Sequence, residues 1–180
     1  MMYYIHGYLS SPEGTKGTLF QESMNAIPIT YRTCEPEQLR IPQCLHEISN
    51  SIKDDPSVSL IGSSLGGFLA AKTALTHQNV STLILLNPAI IPLTTDITKI
   101  TDMPQSILRD MQDDTLFQNK IKATTYLIIG TKDAVVPNNW GILFAQKQEA
   151  TIRFLHDDHQ LSHYIHDLPE IIKSFITQKS

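Results

Sequence analysis

The stretch Leu60-Ile61-Gly62-Ser63-Ser64-Leu65-Gly66-Gly67 constrains the fold more than any other part of the chain, because it joins a β-rich apolar run to a helix-forming run through small residues. A Gly-x-Ser-x-Gly turn at a strand end forces its central serine into a strained conformation, and Gly62 and Gly66 leave room for that backbone. Ser64 Oγ then stands exposed at the N-terminus of the following helix. There the helix dipole and free amides favour developing negative charge, and the amide of Leu65 can form one arm of an oxyanion hole. The same pattern also arises as a glycine-rich turn that only links a strand to a helix, so its meaning depends on its surroundings.

Those surroundings alternate short apolar runs with helical periodicity. Strands are expected at 2–6, 27–31, 57–61, 82–86, 124–129 and 151–155, and the continuous apolar runs 82–86 and 124–129 suit strands buried on both faces. Helices are expected from 13–15 to 24, over 35–53 with Pro42 marking a kink or a late start, over 65–77 and over 168–177. The alternation predicts an α/β fold: a doubly wound, mostly parallel six-stranded sheet with helices on its faces. At 180 residues the chain suits a single domain, 1–180, burying roughly 70% of its unfolded surface. Only 87–123 breaks the spacing, with Pro88, Pro92, Pro104 and an Asp-rich middle where one crossover helix would suffice. A crossover carrying a small cap-like insertion, about 88–122, is expected there.

Charge and apolar content exclude several function classes. Lys and Arg number 14 against 18 Asp and Glu, a formal net charge of -4, and the basic residues are scattered. No stripe could neutralise phosphates, so no nucleic-acid partner is expected. No apolar run approaches the length of a membrane span, and the first residues enter an apolar strand without a basic n-region, so a cytoplasmic protein with no membrane partner is expected. In that compartment Cys34 and Cys44 stay reduced and structural.

In a doubly wound sheet, ligands bind beyond the carboxyl ends of the strands, where the winding order reverses. Ser64 follows the third expected strand, Asp133 the fifth, His159 the sixth and His6-Gly7-Tyr8 the first. Serine alone is a poor nucleophile; an imidazole can take its proton near neutral pH, and a carboxylate fixes the tautomer and stabilises the imidazolium. The chain order Ser, Asp, His is the one α/β-hydrolases use. His156, His159, His163 and His166 crowd one segment. His156, at a strand end, is the alternative base, while His163 and His166 read as surface positions on a helix. His159 and His163 could share a helix face and bind metal with Asp157 or Asp158, but zinc hydrolases of that type want a glutamate inside the pair, and no metal is expected. His6 reads as a hydrogen-bonding support of the oxyanion loop. Asp102, Asp110, Asp113 and Asp114 are rival carboxylates best read as solvated charges. Trp140 and Val135-Val136-Pro137 line the pocket or pack the core.

With these residues in hand, the chain resembles a small α/β-hydrolase of the YqiA-like esterase family, the UPF0227-type uncharacterised esterases. The matching blocks are His6-Gly7-Tyr8, Ser10-Ser11-Pro12 with Lys16 beyond, Gly62-Ser63-Ser64-Leu65-Gly66-Gly67, Asn87-Pro88-Ala89, Gly130-Thr131-Lys132-Asp133 and Asp158-His159-Gln160, spread from end to end. The resemblance implies a minimal α/β-hydrolase fold with a small cap, lacking two edge strands of larger hydrolases. It implies hydrolysis of small carboxylic or thio esters with Ser64 as nucleophile, Asp133 as acid and His159 as base, and no cofactor. Oxyanion donors would be the backbone amides of Tyr8 and Leu65, supported by His6, Gly7, Gly62 and Gly66. The implied partner is a small-molecule acyl ester, bound by a monomer or homodimer. The alternatives are acyl transfer or amide hydrolysis with the same triad, or a catalytically silent binding or scaffold protein on the same fold.

Overall fold

Leu83, Ile84, Leu85 and Leu86 are all buried, as are Leu127, Ile128 and Ile129, because the strands that carry them are covered on both faces. The computed structural model describes residues 1–177. Its strands are β1 (Met2–Ile5), β2 (Ile27–Pro28), β3 (Val58–Ser63), β4 (Val80–Leu86), β5 (Thr124–Gly130) and β6 (Thr151–Leu155). They form one six-stranded sheet in the order β2-β1-β3-β4-β5-β6, and every neighbouring pair is parallel. The sheet is wholly parallel, where a mostly parallel one was expected.

From β1 the chain steps to β2 on one side, then crosses back to β3 on the other, so the winding reverses between β1 and β3. The residues following those two strands are therefore brought together at the switch point. Ile5 is in register with Gly62, which sets Gly7 and Ser64 side by side.

Two apolar layers cover the sheet. On one face α1 (Thr15–Met24) and α7 (Leu168–Thr177) contribute Phe20, Leu168, Ile172 and Phe175, packed on Tyr4, Ile61, Ile84 and Ile128. On the other, α2 (Ile41–Ile52), α3 (Leu65–Thr76) and α6 (Asn138–Gln148) contribute Ile48, Phe68, Leu69 and Phe144. The 88–122 segment carries two short helices, α4 (Gln105–Met111) and α5 (Thr115–Gln118). Their buried Ile107, Leu108, Met111 and Leu116 join the second layer, with α4 against α2 and α5 against α3 and α6. Lys72 of α3 also pairs with Asp113, which accounts for one of the rival carboxylates.

Three expected boundaries shift for identifiable reasons. The 27–31 run forms only a two-residue edge strand, extended by one ladder bond from the Ile29 amide to the Tyr4 carbonyl at 2.9 Å; the Pro28 nitrogen faces the open edge, where its missing N–H costs nothing. The 35–53 helix starts late, at Ile41, with Pro42 in its first turn, where proline's missing donor costs nothing. Residues 156–167 form turns rather than a helix. His163 and His166 are exposed as expected, but they lie on loop, and His159 and His163 share no helix face.

Candidate active site

Ser64 is the N-cap residue of α3, with φ 55° and ψ -119°. That left-handed backbone is costly for a residue with a side chain, about 1–3 kcal/mol, and persists only where packing over-determines it. The glycines on either side explain how packing does so. A Cβ on Gly62 would lie 2.4 Å from the Gly66 carbonyl oxygen, and one on Gly66 would lie 2.1 Å from that of Ile5. The elbow is thus wedged against the end of β1 by backbone contacts that no larger residue permits.

Two hydrogen bonds connect the serine to residues far away in sequence. His159 Nε2 lies 3.1 Å from Ser64 Oγ, and His159 Nδ1 lies 2.7 Å from Asp133 Oδ2. With its hydrogen on Nδ1, the imidazole donates to the carboxylate and accepts from the serine hydroxyl. The Asp133 side chain is 1% exposed and that of His159 12%, so the carboxylate is enclosed while the imidazole edge stays open. The other carboxylate oxygen, Oδ1, accepts from the amides of Val135 at 2.8 Å and Val136 at 2.9 Å. These two donors stop the carboxylate from rotating away from the histidine. His156, by contrast, is exposed and its Nδ1 lies 3.3 Å from Thr131 Oγ1, away from Ser64.

The loop after β1 closes the site from the other side. A Cβ on Gly7 would sit 3.3 Å from Ser64 Cβ, a measure of how near the loop passes. Among the described residues, neither the Tyr8 nor the Leu65 amide has an acceptor within the chain. His6 supports this loop from below: its Nδ1 is 2.8 Å from the Gly7 carbonyl, and its ring stacks on Tyr31 with centroids 4.4 Å apart. Burial pushes the His6 pKa down to about 4, partly opposed by the bond to Gly7. Burial, and not that bond, is what keeps the ring neutral.

Several positioning contacts had no signal in local sequence pattern. Arg32 donates through Nη2 to the carbonyls of Tyr8 at 2.9 Å and Ser10 at 3.0 Å, and through Nη1 to that of Cys34 at 2.8 Å. Its place just after the apolar 27–31 run, a cation facing loop carbonyls, was the available hint. Buried Asp157 accepts from the amides of Asp158, His163 and Tyr164, which turns the histidine segment into a loop instead of a helix. Lys16 Nζ donates to Gln160 Oε1 at 3.2 Å from beneath the same loop; burial lowers the Lys16 pKa, and the Asp158 and Asp157 carboxylates oppose that shift. Trp140 is packed in the core. Val136 and Pro137 border a void of about 10 Å³ beside Asp133, and Leu9, Ser10, Ser11 and Arg32 line an open cleft of about 520 Å³ along the β1 loop. Among the described residues no group of three or more His, Cys, Asp or Glu side chains is arranged to hold a metal ion, and no helix is long and apolar enough to cross a membrane.

The sheet order, the elbow at the switch point and the loops that carry Asp133 and His159 define an α/β-hydrolase fold. The model of the uncharacterised protein family UPF0227 matches residues 1–177, and the chain belongs to that family. No curated protein sequence matches it. Among solved structures, it is similar to the Est1E protein of Butyrivibrio proteoclasticus, a structure with bound ferulic acid (TM-score 0.80, 19% identity, 99% of this chain and 88% of that one). It is also similar to α/β-hydrolase domain-containing protein 10 from mouse (TM-score 0.76, 20% identity, 99% and 90%). A third likeness is to the Pyrococcus furiosus esterase Pf2001 (TM-score 0.74, 16% identity, 98% and 80%). At these identities the likeness is one of fold.

Proposed function

We propose that this protein is a serine hydrolase that cleaves small carboxylic or thio esters through an acyl-enzyme intermediate, with Ser64 as nucleophile, His159 as base and Asp133 as the acid that orients it. The observation that carries the proposal is the continuous relay from Ser64 Oγ through His159 Nε2 and Nδ1 to Asp133 Oδ2, at 3.1 Å and 2.7 Å. A hydroxyl so placed can lose its proton to the imidazole as its oxygen attacks an ester carbonyl, and the carboxylate offsets the charge that the ring acquires. The carbonyl oxygen becomes an oxyanion facing the amides of Tyr8 and Leu65, whose lack of internal acceptors leaves them available. His159 then returns the proton to the leaving alcohol or thiol, which departs and leaves Ser64 acylated. Water enters by the same path: His159 takes its proton, the hydroxide attacks the acyl carbon, and Ser64 recovers its hydrogen as the acid leaves.

No cofactor enters this chemistry, and we take the protein to work in the cytoplasm as a monomer or homodimer, which suits the free thiols of Cys34 and Cys44. Short acyl chains are favoured because the 88–122 segment carries only two short helices, α4 and α5, enough to roof no more than a shallow site. Each methylene that finds a wall should add up to roughly 0.8 kcal/mol of transition-state binding, and those beyond it nothing. Hydrolysis of a p-nitrophenyl ester series tests both parts. Wild-type protein is expected to show kcat/KM peaking between acetate and hexanoate, and Ser64→Ala to show none of that activity. Equal turnover by Ser64→Ala would refute the nucleophile, and a preference for dodecanoate or longer would refute the substrate size.

A further inference from the structure

The turn that ends β4, Asn87-Pro88-Ala89, takes no part in the proton relay, yet residues 86–89 bond to the backbone beneath all three of its members. The Leu86 carbonyl accepts from the Ser64 amide at 3.0 Å, and the Ala89 amide donates to the Ser64 carbonyl at 3.0 Å. Between them, Asn87 is 2% exposed and has φ 42°, a left-handed backbone that asparagine tolerates better than most residues. Both hydrogens and the oxygen of its carboxamide are engaged. Nδ2 donates to the carbonyls of both Asp158, at 3.1 Å, and His159, at 3.0 Å. Oδ1 accepts from the amide of Gly130 at 2.7 Å. Gly130 is the last residue of β5, and its own carbonyl accepts from the Asp133 amide at 3.1 Å, closing the turn that presents the acid.

Two donors for the histidine loop and one acceptor for the acid strand is a set that only a carboxamide supplies. Aspartate has the shape but no donors, serine has a single donor, and glutamine is a methylene too long for the space. We infer that Asn87 is the positioning residue that holds the base loop and the acid strand in register with the nucleophile elbow, in service of the hydrolase chemistry proposed above. It touches no reacting atom. It fixes the backbone of His159 directly and that of Asp133 through Gly130, and the same turn fixes Ser64, so an error at Asn87 changes all the spacings of the relay together.

Two variants and two readouts separate this role from plain strand capping. Asn87→Gly keeps the left-handed backbone free of strain while deleting the carboxamide. Asn87→Asp keeps the size but, when ionised, turns acceptors toward two carbonyl oxygens. The first readout is the rate of fluorophosphonate labelling, with kcat and KM for p-nitrophenyl acetate; the second is the proton NMR signal of the His159 Nδ1–H bonded to Asp133, which needs no turnover. Asn87→Gly is expected to remain folded by circular dichroism, to lose on the order of 10² in labelling rate and kcat with KM little changed, and to shift or broaden the His159 signal. Asn87→Asp is expected to regain activity relative to wild type as pH falls and its carboxyl takes a proton to donate. Wild-type rates and an unmoved His159 signal in folded Asn87→Gly would overturn the inference. Should Asn87→Gly not fold, a ratio of Asn87→Asp to wild-type rate that stays constant with pH would overturn it equally. A wild-type protein that the probe does not label would refute the hydrolase chemistry alone, and the His159 signal would still decide the role of Asn87.

Discussion

Replacing His6 by asparagine should remove a pH dependence of stability that is built into the floor of the site. His6 is 2% exposed, donates to the Gly7 carbonyl and stacks on Tyr31, and burial lowers its pKa from 6.5 to about 4. In the unfolded chain the ring takes a proton below about pH 6.5, whereas the folded chain resists it until about pH 4. Between those values the unfolded state therefore binds more protons, and stability falls as pH falls. The full linkage is about 3 kcal/mol, of which about 2 kcal/mol should be lost between pH 7 and pH 5. Carboxylates such as Asp113 titrate in both proteins, so the difference between them isolates His6. Asparagine cannot take a proton, but it can still donate to Gly7. Urea unfolding of wild type and His6→Asn at half-unit steps from pH 7.5 to pH 4.5 gives the comparison: His6→Asn should start less stable and converge on wild type as the pH drops. Parallel curves over the whole range would refute the assignment of His6 as a buried neutral ring.

The choice of base predicts that His159→Ala loses on the order of 10³ or more in kcat for p-nitrophenyl acetate while His156→Ala loses far less, because members of a relay act as a unit; the reverse order would move the base to His156. Gly66→Ala places a Cβ 2.1 Å from the Ile5 carbonyl oxygen and 2.4 Å from that of His6. It should therefore cost at least the upper end of the 1–3 kcal/mol usual for overpacking, a drop of roughly 6–12 °C in Tm by calorimetry, and an unchanged Tm would contradict the wedged elbow.

The elbow could be read from five consecutive residues because its geometry is local: small residues at 62 and 66 and the change from β-rich to helix-forming composition lie within one turn. The sheet was legible for a similar reason, since runs such as 82–86 and 124–129 are short, apolar and bounded by turn formers, as strands covered on both faces are. Features set by distant partners were not legible. The 27–31 run has strand composition, yet the chain leaves the sheet after Ile29, and Arg32 is then spent on the carbonyls of Tyr8, Ser10 and Cys34. The spacing of His159 and His163 fits a helix, but Asp157 captures three amides that a helix would have bonded elsewhere. Helix α6 shows no clear helical period in sequence, because Trp140 to Ala145 is an unbroken apolar and small-residue run in which exposed Leu143 stands beside buried Phe144, and only packing on β5 and β6 reveals its inner face. Candidate residues could be assigned to strand ends from sequence, but the approach of His159 to Ser64, 95 positions away, depends on strand order and register.

Fluorophosphonate labelling followed by peptide mass spectrometry tests the proposed nucleophile most directly, because it asks whether one serine is activated without assuming a substrate. One adduct per chain is expected, on the peptide containing Ser64, with none in Ser64→Ala and slow formation in His159→Ala. An adduct on a different residue, or no adduct on folded wild-type protein, would contradict a Ser64–His159–Asp133 relay that performs catalysis.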